Sequence, residues 1–562
     1  MKFIIYSAVS AKNISSYLGK PEYSYYFVLK KYLPIFEALG EITLVHSFSD
    51  IDVAASGLSP QDDYVICFSP PNKSYINSSI KVINIFAWEF DNLPYEVWGD
   101  DSRQNWPKVL SQHFAAVTLS TDSRQAVSRA MGSDYNVRSI PVPIWDEYQS
   151  LYDPHSLAVK SAVEIEVDGS IVESDCYYSN AATFDVDPYK LQIKRDICPN
   201  NVLLGFDVNS WPSGFLGGFY EPEEWGAWSK HASPWVLLPY KLQGRVKLSL
   251  IMNAYEANIG KALSVELGGE SQTFIPSVDF QTYEFTFDLV EPALMIRFTG
   301  IDVAAIPGVA DERSMGIGLK SLTISLEADR ELIEVAPVRS CLKLSGVVYT
   351  TVFNPDDDRK NWQDIVKGFC YAFRNKRDAV LVLKITHHSL GAFLGRFHYL
   401  LSSLGAFSCR VVVVHGYLDG AEFSKLIDST SYYINASKCE GLCMPLMEYM
   451  AAGKPAVATS NTAMGDYFSD KSGFVVESSQ SPAIWPHDPR HLNRTVKYRI
   501  NWMSLVQQLN ASYSVAISDV DSYSQMAKNA TQAIRQFASF DVVLAEMTEF
   551  LGISPDETKA LS

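Results

Sequence analysis

The chain has 562 residues, of which 47% are hydrophobic and 20% charged, with a formal net charge of −17. A single core stops growing near about 250–300 residues, so this length implies several domains with clefts between them. The composition excludes a disordered or fibrous chain, and the acidic balance argues against nucleic acid or anionic lipid surfaces as partners.

The opening MKFIIYSAVSAKN holds an apolar run too short for a signal peptide, and no stretch approaches about 18 uncharged apolar residues. No leader and no spanning helix are therefore expected. Residues 1–150 alternate β-rich runs (KFIIYSAV, EITLVHS, YVICFS, KVINIFAW, AAVTLST) with helical stretches such as YSYYFVLKKYLPIFEALG. Strands apolar nearly throughout, separated by helices, predict a parallel sheet covered on both faces. The segment 151–198 has a mixed pattern and is assigned to no element. Residues 199–330 change texture to closely spaced strands (WVLLPY, RVKLSLIMNAY, KALSVELGG, YEFTFDLV, ALMIRFTG), which predicts an all-β sandwich. From 340 to 540 the α/β alternation returns, with Trp362, Ile365, Val366, Phe369 and Phe373 at helical spacing. Residues 541–562 read as a C-terminal helix and tail. The fold class expected is α/β, two Rossmann-like domains facing a cleft with an all-β domain inserted between them.

The eight cysteines are scattered, mostly in apolar runs such as those around Cys67 and Cys370, and read as buried thiols in a reducing, cytoplasmic compartment. Cys439 and Cys443 have no second ligand pair at metal spacing, so no metal site is assigned.

The chemistry is concentrated in SYYINASKCEGLCMPLMEYMAAGKPAVAT. A strand ends, a loop carries Glu440, and a helix with Leu442, Leu446, Tyr449 and Met450 on its apolar stripe carries Glu448; Gly453 and Pro455 close it. A helix N-terminus at the end of a parallel strand offers unpaired amides and a positive dipole end to a diphosphate. Gly441 lets the loop backbone approach the diphosphate closely without a side chain in the way, and a carboxylate further along the helix can accept from a ribose diol.

This string closely resembles the E-x7-E region of glycosyltransferase family four, retaining nucleotide-sugar enzymes of GT-B fold. The resemblance covers about half to two-thirds of the chain and leaves out the β-rich segment. It implies that Glu440 contacts the donor sugar, that Glu448 binds the ribose, and that the amides of Gly441, Leu442 and Cys443 contact sugar or phosphates. In VVYTTVFNPDDDRKNWQDIVKGF, Lys360 matches the family's phosphate-binding lysine. The family's arginine is replaced near Asn354, and Arg359 or Lys384 is the candidate substitute. The Asp356–Asp358 run reads as a turn balanced by Arg359 and Lys360.

On the N-terminal side, INIFAWEFDNLP places Trp88, Glu89 and Asp91 just past a strand, where α/β folds put ligands; Glu89 is a candidate for orienting an acceptor hydroxyl. The loop at Ser10, Ala11 and Lys12 is a second candidate for the acceptor side. His387, His388 and His415 read as structural. At the head of the β-rich segment, Tyr220, Trp225 and Trp228, with Trp235 and Glu221, Glu223 and Glu224 nearby, can grip a glycan by stacking and hydrogen bonding or can be core rings.

The resemblance implies transfer of a hexosyl group, mannosyl first, from a nucleoside diphosphate sugar to a glycan or lipid-linked glycan hydroxyl during polysaccharide biosynthesis. It implies retention of anomeric configuration, with no cofactor and no metal. Catalysis falls to Glu440, Lys360 and Glu89, at a cytoplasmic site peripheral to the inner membrane face. A non-catalytic glycan-binding or scaffold protein on the same fold is the alternative that the absent arginine leaves open.

Overall fold

The computed structural model describes residues 1–10, 22–174, 197–198, 200–207, 216–220, 222–304, 313–326, 332–334, 339–387, 390–418, 420–486 and 488–553. Ala11, Lys12, Glu221, His388 and the tail beyond 553 lie outside them.

The N-terminal alternation folds as six parallel strands in the order Glu41–Val45, Lys2–Tyr6, Tyr64–Phe68, Lys81–Phe86, Ala115–Thr118, Val137–Ser139. Helix Tyr23–Leu39 buries Tyr25, Val28, Leu29, Tyr32, Ile35, Phe36 and Leu39 against this sheet, a spacing of three and four that makes one continuous stripe. Strand order reverses at Lys2–Tyr6, so a crevice opens at the carboxyl ends of the strands.

The C-terminal sheet has a parallel run in the order Arg410–Tyr417, Ala379–Ile385, Arg339–Phe353, Tyr432–Asn435, Ala456–Ala458, Gly473–Val475. Helix Trp362–Ala372 covers it with Trp362, Ile365, Val366 and Phe369, on the expected spacing. The segment assigned to no element supplies a further strand, with apolar and acidic residues alternating over Val163–Asp168. Strand Val159–Glu173 pairs antiparallel with the first half of Arg339–Phe353, then crosses to pair with Arg410–Tyr417. The crossing is at Gly169, where φ is +151° and a Cβ would meet the His415 carbonyl oxygen at 2.1 Å. The ribbon thus closes around Ile165, Val167, Ile171, Leu342, Leu344, Val380 and Val412, with Leu426 of helix Gly420–Asp428 packed in the same core.

The β-rich region forms one continuous sheet of nine strands rather than two unconnected layers. Two long strands, Trp235–Ala254 and Gln281–Thr299, run through it, and their pairing breaks register between Leu237 and Gly244. Such irregularities bend strands and increase their twist, which lets the sheet wrap its own core of Val246, Leu248, Leu250, Phe285, Phe287 and Phe298. Leu237 and Met295 belong instead to the core of the C-terminal α/β domain, with Trp235 packed beside them, so the inserted unit is docked there.

Two further elements tie the α/β domains together. Helices Val520–Ala538 and Phe540–Leu551 return to the N-terminal core through Ile534, Ala538, Val543 and Met547, and Arg138 pairs with Glu546 and Glu549 at 2.8 and 2.9 Å. The hairpin Ser478–Ile484/Arg494–Ile500 reaches across to Asp91, whose carboxylate accepts from Thr495 Oγ1 at 2.8 Å and the Val496 amide at 3.0 Å. Among the described cysteines all are buried except Cys341, which is exposed on strand Arg339–Phe353 and departs from the expectation of buried thiols. Among the described residues no helix is long and apolar enough to cross a membrane.

Candidate functional site

A cleft of about 1930 Å³ runs between the two α/β domains. It exceeds the roughly 300–1,000 Å³ of a typical small-ligand pocket, enough for two substrates together. Its walls include Trp88, Glu89, Asn354, Arg359, Lys360, Lys384, Glu440, Gly441, Leu442, Cys443 and Glu448.

The loops that follow strands Arg339–Phe353 and Tyr432–Asn435 are fastened to each other by backbone. The Lys438 amide donates to the Arg359 carbonyl at 2.8 Å, and Asn361 Nδ2 donates to the Ala436 carbonyl at 3.2 Å. This brings Lys360 Nζ to both oxygens of Glu440, at 2.8 and 2.9 Å. Ser437 Oγ adds a third bond to the carboxylate at 2.6 Å, and the Glu440 amide donates to Thr462 Oγ1 at 2.9 Å. Glu440 is only 4% exposed. Burial pushes its carboxyl up, but Lys360 and Arg359 outweigh burial and hold it below the usual carboxylate value. Burial likewise opposes the Lys360 charge, and Glu440 outweighs it, so the ammonium is stabilised.

Arg359 joins the two domains. Its guanidinium grips Asp357 through Nε at 3.0 Å and Nη2 at 2.6 Å, and Nη1 lies 3.1 Å from Glu89 of the N-terminal domain. Burial works against its charge, and Glu89 and Asp357 more than compensate. Glu89 itself is pushed up, first by burial and then by Asp357 and Glu440, against the pull of Arg359. Three carboxylates therefore share two cations. The rest of the acidic turn is balanced by other partners: Asp358 by Lys438 at 2.5 Å, and Asp356 by Arg396 and by His387 at 3.1 Å. His415 Nε2 lies 2.9 Å from the His387 carbonyl. Asn354 Oδ1 accepts from the Asp356 amide at 3.1 Å and shapes the turn.

Gly441 packs against the other domain at the cleft wall: a Cβ there would lie 3.1 Å from the Trp88 amide nitrogen and 3.2 Å from Ala87 Cβ. Cys443 caps helix Met444–Ala451 in the left-handed region, at φ 64° and ψ 59°, a conformation costly for a residue with a Cβ. Asn435 Nδ2 at 3.3 Å from its sulfur, and Tyr467 Oη donating to the Leu442 carbonyl at 2.7 Å, hold the loop in place. Glu448, half-buried one turn along this helix, faces Tyr148, Lys31 and Glu147 of the N-terminal domain. Burial raises its pKa, and Lys31 pulls it back. Lys384 is 8% exposed; its Nζ donates to the Ile385 carbonyl at 3.1 Å, and burial lowers it to about 8.

The structure thus gathers Lys360, Arg359, Glu440 and Glu89 into one cluster, and sets Glu448 and Lys384 on other stretches of the same wall. Tyr220, Trp225 and Trp228 lie on the inserted unit, none of whose described residues lines the cleft. Trp235 sits at that unit's docking edge. Sequence reasoning missed Ser437 and Thr462 as holders of Glu440, Lys31 and Tyr148 beside Glu448, and Trp485, which packs on Trp88 at 5.7 Å. Ser437 stands three residues before Glu440 and was open to a local reading; the others are brought in by tertiary structure alone.

Among solved structures, the chain is similar to Anabaena HepE in complex with UDP-glucose, at 9% identity over 98% of this chain and 99% of that one, with a TM-score of 0.43. It is similar to S. aureus TarM in complex with fondaparinux, alpha-GlcNAc-glycerol and UDP, at 6% identity and TM-score 0.40, over 89% of this chain and 58% of that chain's length. The pneumococcal O-GlcNAc transferase GtfA, in complex with UDP and GlcNAc, is 12% identical over 42% of this chain and 41% of that one, with a TM-score of 0.26. No curated protein matches the chain. Residues 206–326 of the inserted unit match a family described as a domain of unknown function, DUF7024. The two parallel α/β domains facing one cleft make the fold GT-B, and residues 392–485, which carry Glu440 and Glu448, match the family model described as glycosyl transferases group 1.

Proposed function

We propose that the chain is a retaining glycosyltransferase that moves a hexosyl group, mannosyl first, from a nucleoside diphosphate sugar to a glycan hydroxyl in polysaccharide biosynthesis. The observation that carries this reading is the buried Lys360–Glu440 pair at the head of helix Met444–Ala451, with the neighbouring Arg359 reaching Glu89 of the other domain. In this reading the acceptor oxygen attacks C1 of the sugar from the face of the leaving group. The C1–oxygen bond to the diphosphate breaks, the acceptor–C1 bond forms, and the acceptor proton passes to the departing phosphate oxygen. Lys360, Arg359 and the amides of Gly441, Leu442 and Cys443 stabilise the charge growing on that phosphate. Glu440, kept ionised by Lys360, positions the sugar and faces the positive charge developing at C1. Glu89 orients the acceptor hydroxyl, and Glu448 accepts from the ribose. Asn354 and the diphosphate share the turn where the family's arginine is absent. The acceptor is a glycan or lipid-linked glycan, and the enzyme works in the cytoplasm at the inner membrane face.

A panel of nucleotides and nucleotide sugars tests the reading by thermal shift and by release of nucleotide from labelled donors. Wild type is expected to be stabilised by one nucleoside diphosphate and its sugar, and Glu448→Ala to lose that stabilisation. Unchanged shifts in the variant remove Glu448 from the ribose site, and an unresponsive wild type that releases no nucleotide sinks the enzyme reading.

Lys384 adds a pH signature. Below about 8 its ammonium is charged and attracts the donor diphosphate; above that it is neutral. Donor Kd is expected to weaken between pH 7 and 9, with a slope approaching about tenfold per unit. Titrations with Lys384→Met at the same pH values are expected to give a flat profile; a slope equal to wild type assigns the titration to another group.

A further inference from the structure

The inserted unit carries its own cluster of rings outside the cleft. Trp225 and Trp228 pack edge to face with centroids 5.2 Å apart, and Phe280 lies 5.2 Å from Trp225. Both tryptophans are half-buried, and Phe280 is 39% exposed. Beneath them is Gly318, where a Cβ would meet Asn253 Oδ1 at 2.2 Å, Trp225 at 3.0 Å and Trp228 at 3.1 Å. The bare backbone lets two rings and an amide converge on one spot. Asn253 Nδ2 donates to the Val278 carbonyl at 3.3 Å, whereas its buried Oδ1 has no hydrogen-bond donor among the described residues. That oxygen is sealed beneath the rings, so Asn253 belongs to the floor that seats them rather than to the exposed surface. On the rim, Glu223 accepts from Trp225 Nε1 at 2.9 Å and from Arg313 at 2.7 Å, which fixes the ring and presents a charged pair beside it. Lys320 Nζ stands 5.7 Å from the Phe280 ring centroid.

We propose that this cluster is a binding site for a pyranose ring of a glycan chain. The C–H face of the sugar stacks on Trp225, with Phe280 tilted at 52° to form the side of the platform, and its hydroxyls bond to Glu223 and Arg313. Partly exposed rings joined to a fork donor and a carboxylate match a ligand that is apolar on one face and hydroxylated at its edge. The site stands apart from the cleft, so it does not rest on the transferase reading.

The test is affinity electrophoresis of the full chain without donor, through gels cast with mannan, with a β-glucan, and with no polysaccharide, alongside a glycan microarray. Wild type is expected to be retarded by at least one polysaccharide. Trp225→Ala is expected to weaken that binding about tenfold, the equivalent of losing a ring contact of ~1.4 kcal/mol. Phe280→Ala, at an exposed position, serves as the second variant, and its melting temperature is expected to match wild type. Both variants are expected to keep any nucleotide-dependent thermal shift of the wild type, which separates this site from the cleft. Equal migration of wild type in all gels with an empty array overturns the proposal, as does wild-type retardation in a folded Phe280→Ala together with Trp225→Ala.

Discussion

Replacing Lys360 by Met is expected to reduce transfer about 10²–10³-fold, the scale of losing one fixed stabiliser of transition-state charge. The same change is expected to destabilise the fold by about 3–5 kcal/mol, because it strands a charge that is 96% buried. The sign of the pH dependence identifies the cause. In wild type the Glu440 pKa is held below its unfolded value, so its contribution to stability is present above that value and lost as pH falls through the folded one. In Lys360→Met burial acts unopposed by the ammonium, the pKa rises, and the variant recovers stability as Glu440 takes up a proton. The gap between the two proteins is therefore expected to be widest at neutral pH and to shrink on acidification, read by urea unfolding across pH. Adding Glu440→Gln is expected to restore much of the stability at pH 7 without restoring transfer. A double variant as unstable as the single one would show that the lysine acts through packing.

Arg359→Ala is expected to have the second largest effect, since one guanidinium serves Asp357 on its own loop and Glu89 across the cleft. The loss is expected to be about 3 kcal/mol, with faster proteolysis or hydrogen exchange at the domain boundary. Glu89 is already pushed up by burial and by neighbouring carboxylates, so without Arg359 it is expected to be pushed up further, a buried carboxylate left without its cation. Glu89→Gln in the Arg359→Ala background then restores stability. On the proposed function it leaves the transfer rate low, because neither the phosphate cation nor the acceptor-orienting carboxylate is present. Recovery of transfer in that double variant would assign both residues to the domain interface alone.

Much of the α/β architecture was legible because its causes are local. Strands such as YVICF are buried on both faces, and helix Trp362–Ala372 carries its apolar stripe at helical spacing. The loop position of Glu440 and the helical position of Glu448 followed from the same patterns. The partners of those residues were not legible. The Lys360–Glu440 pair spans 80 residues, and the Arg359–Glu89 pair joins two domains. Strand Val159–Glu173 alternates apolar and acidic residues over Val163–Asp168; what its sequence could not tell is its partners, since it leaves one strand for another at Gly169. The final helix gave its helicity in sequence and withheld its destination, the N-terminal core.

The sequence by itself determined the kinds of element, the chemistry available near Glu440 and the presence of an inserted β-rich unit, because periodicity and turn chemistry act over a few residues. Only the tertiary structure decided which charges share a cation, that Gly441 presses on Trp88, and that Glu448 faces Lys31 and Tyr148. Those outcomes depend on burial and on distances across the cleft, and both arise only when separate stretches of chain pack together.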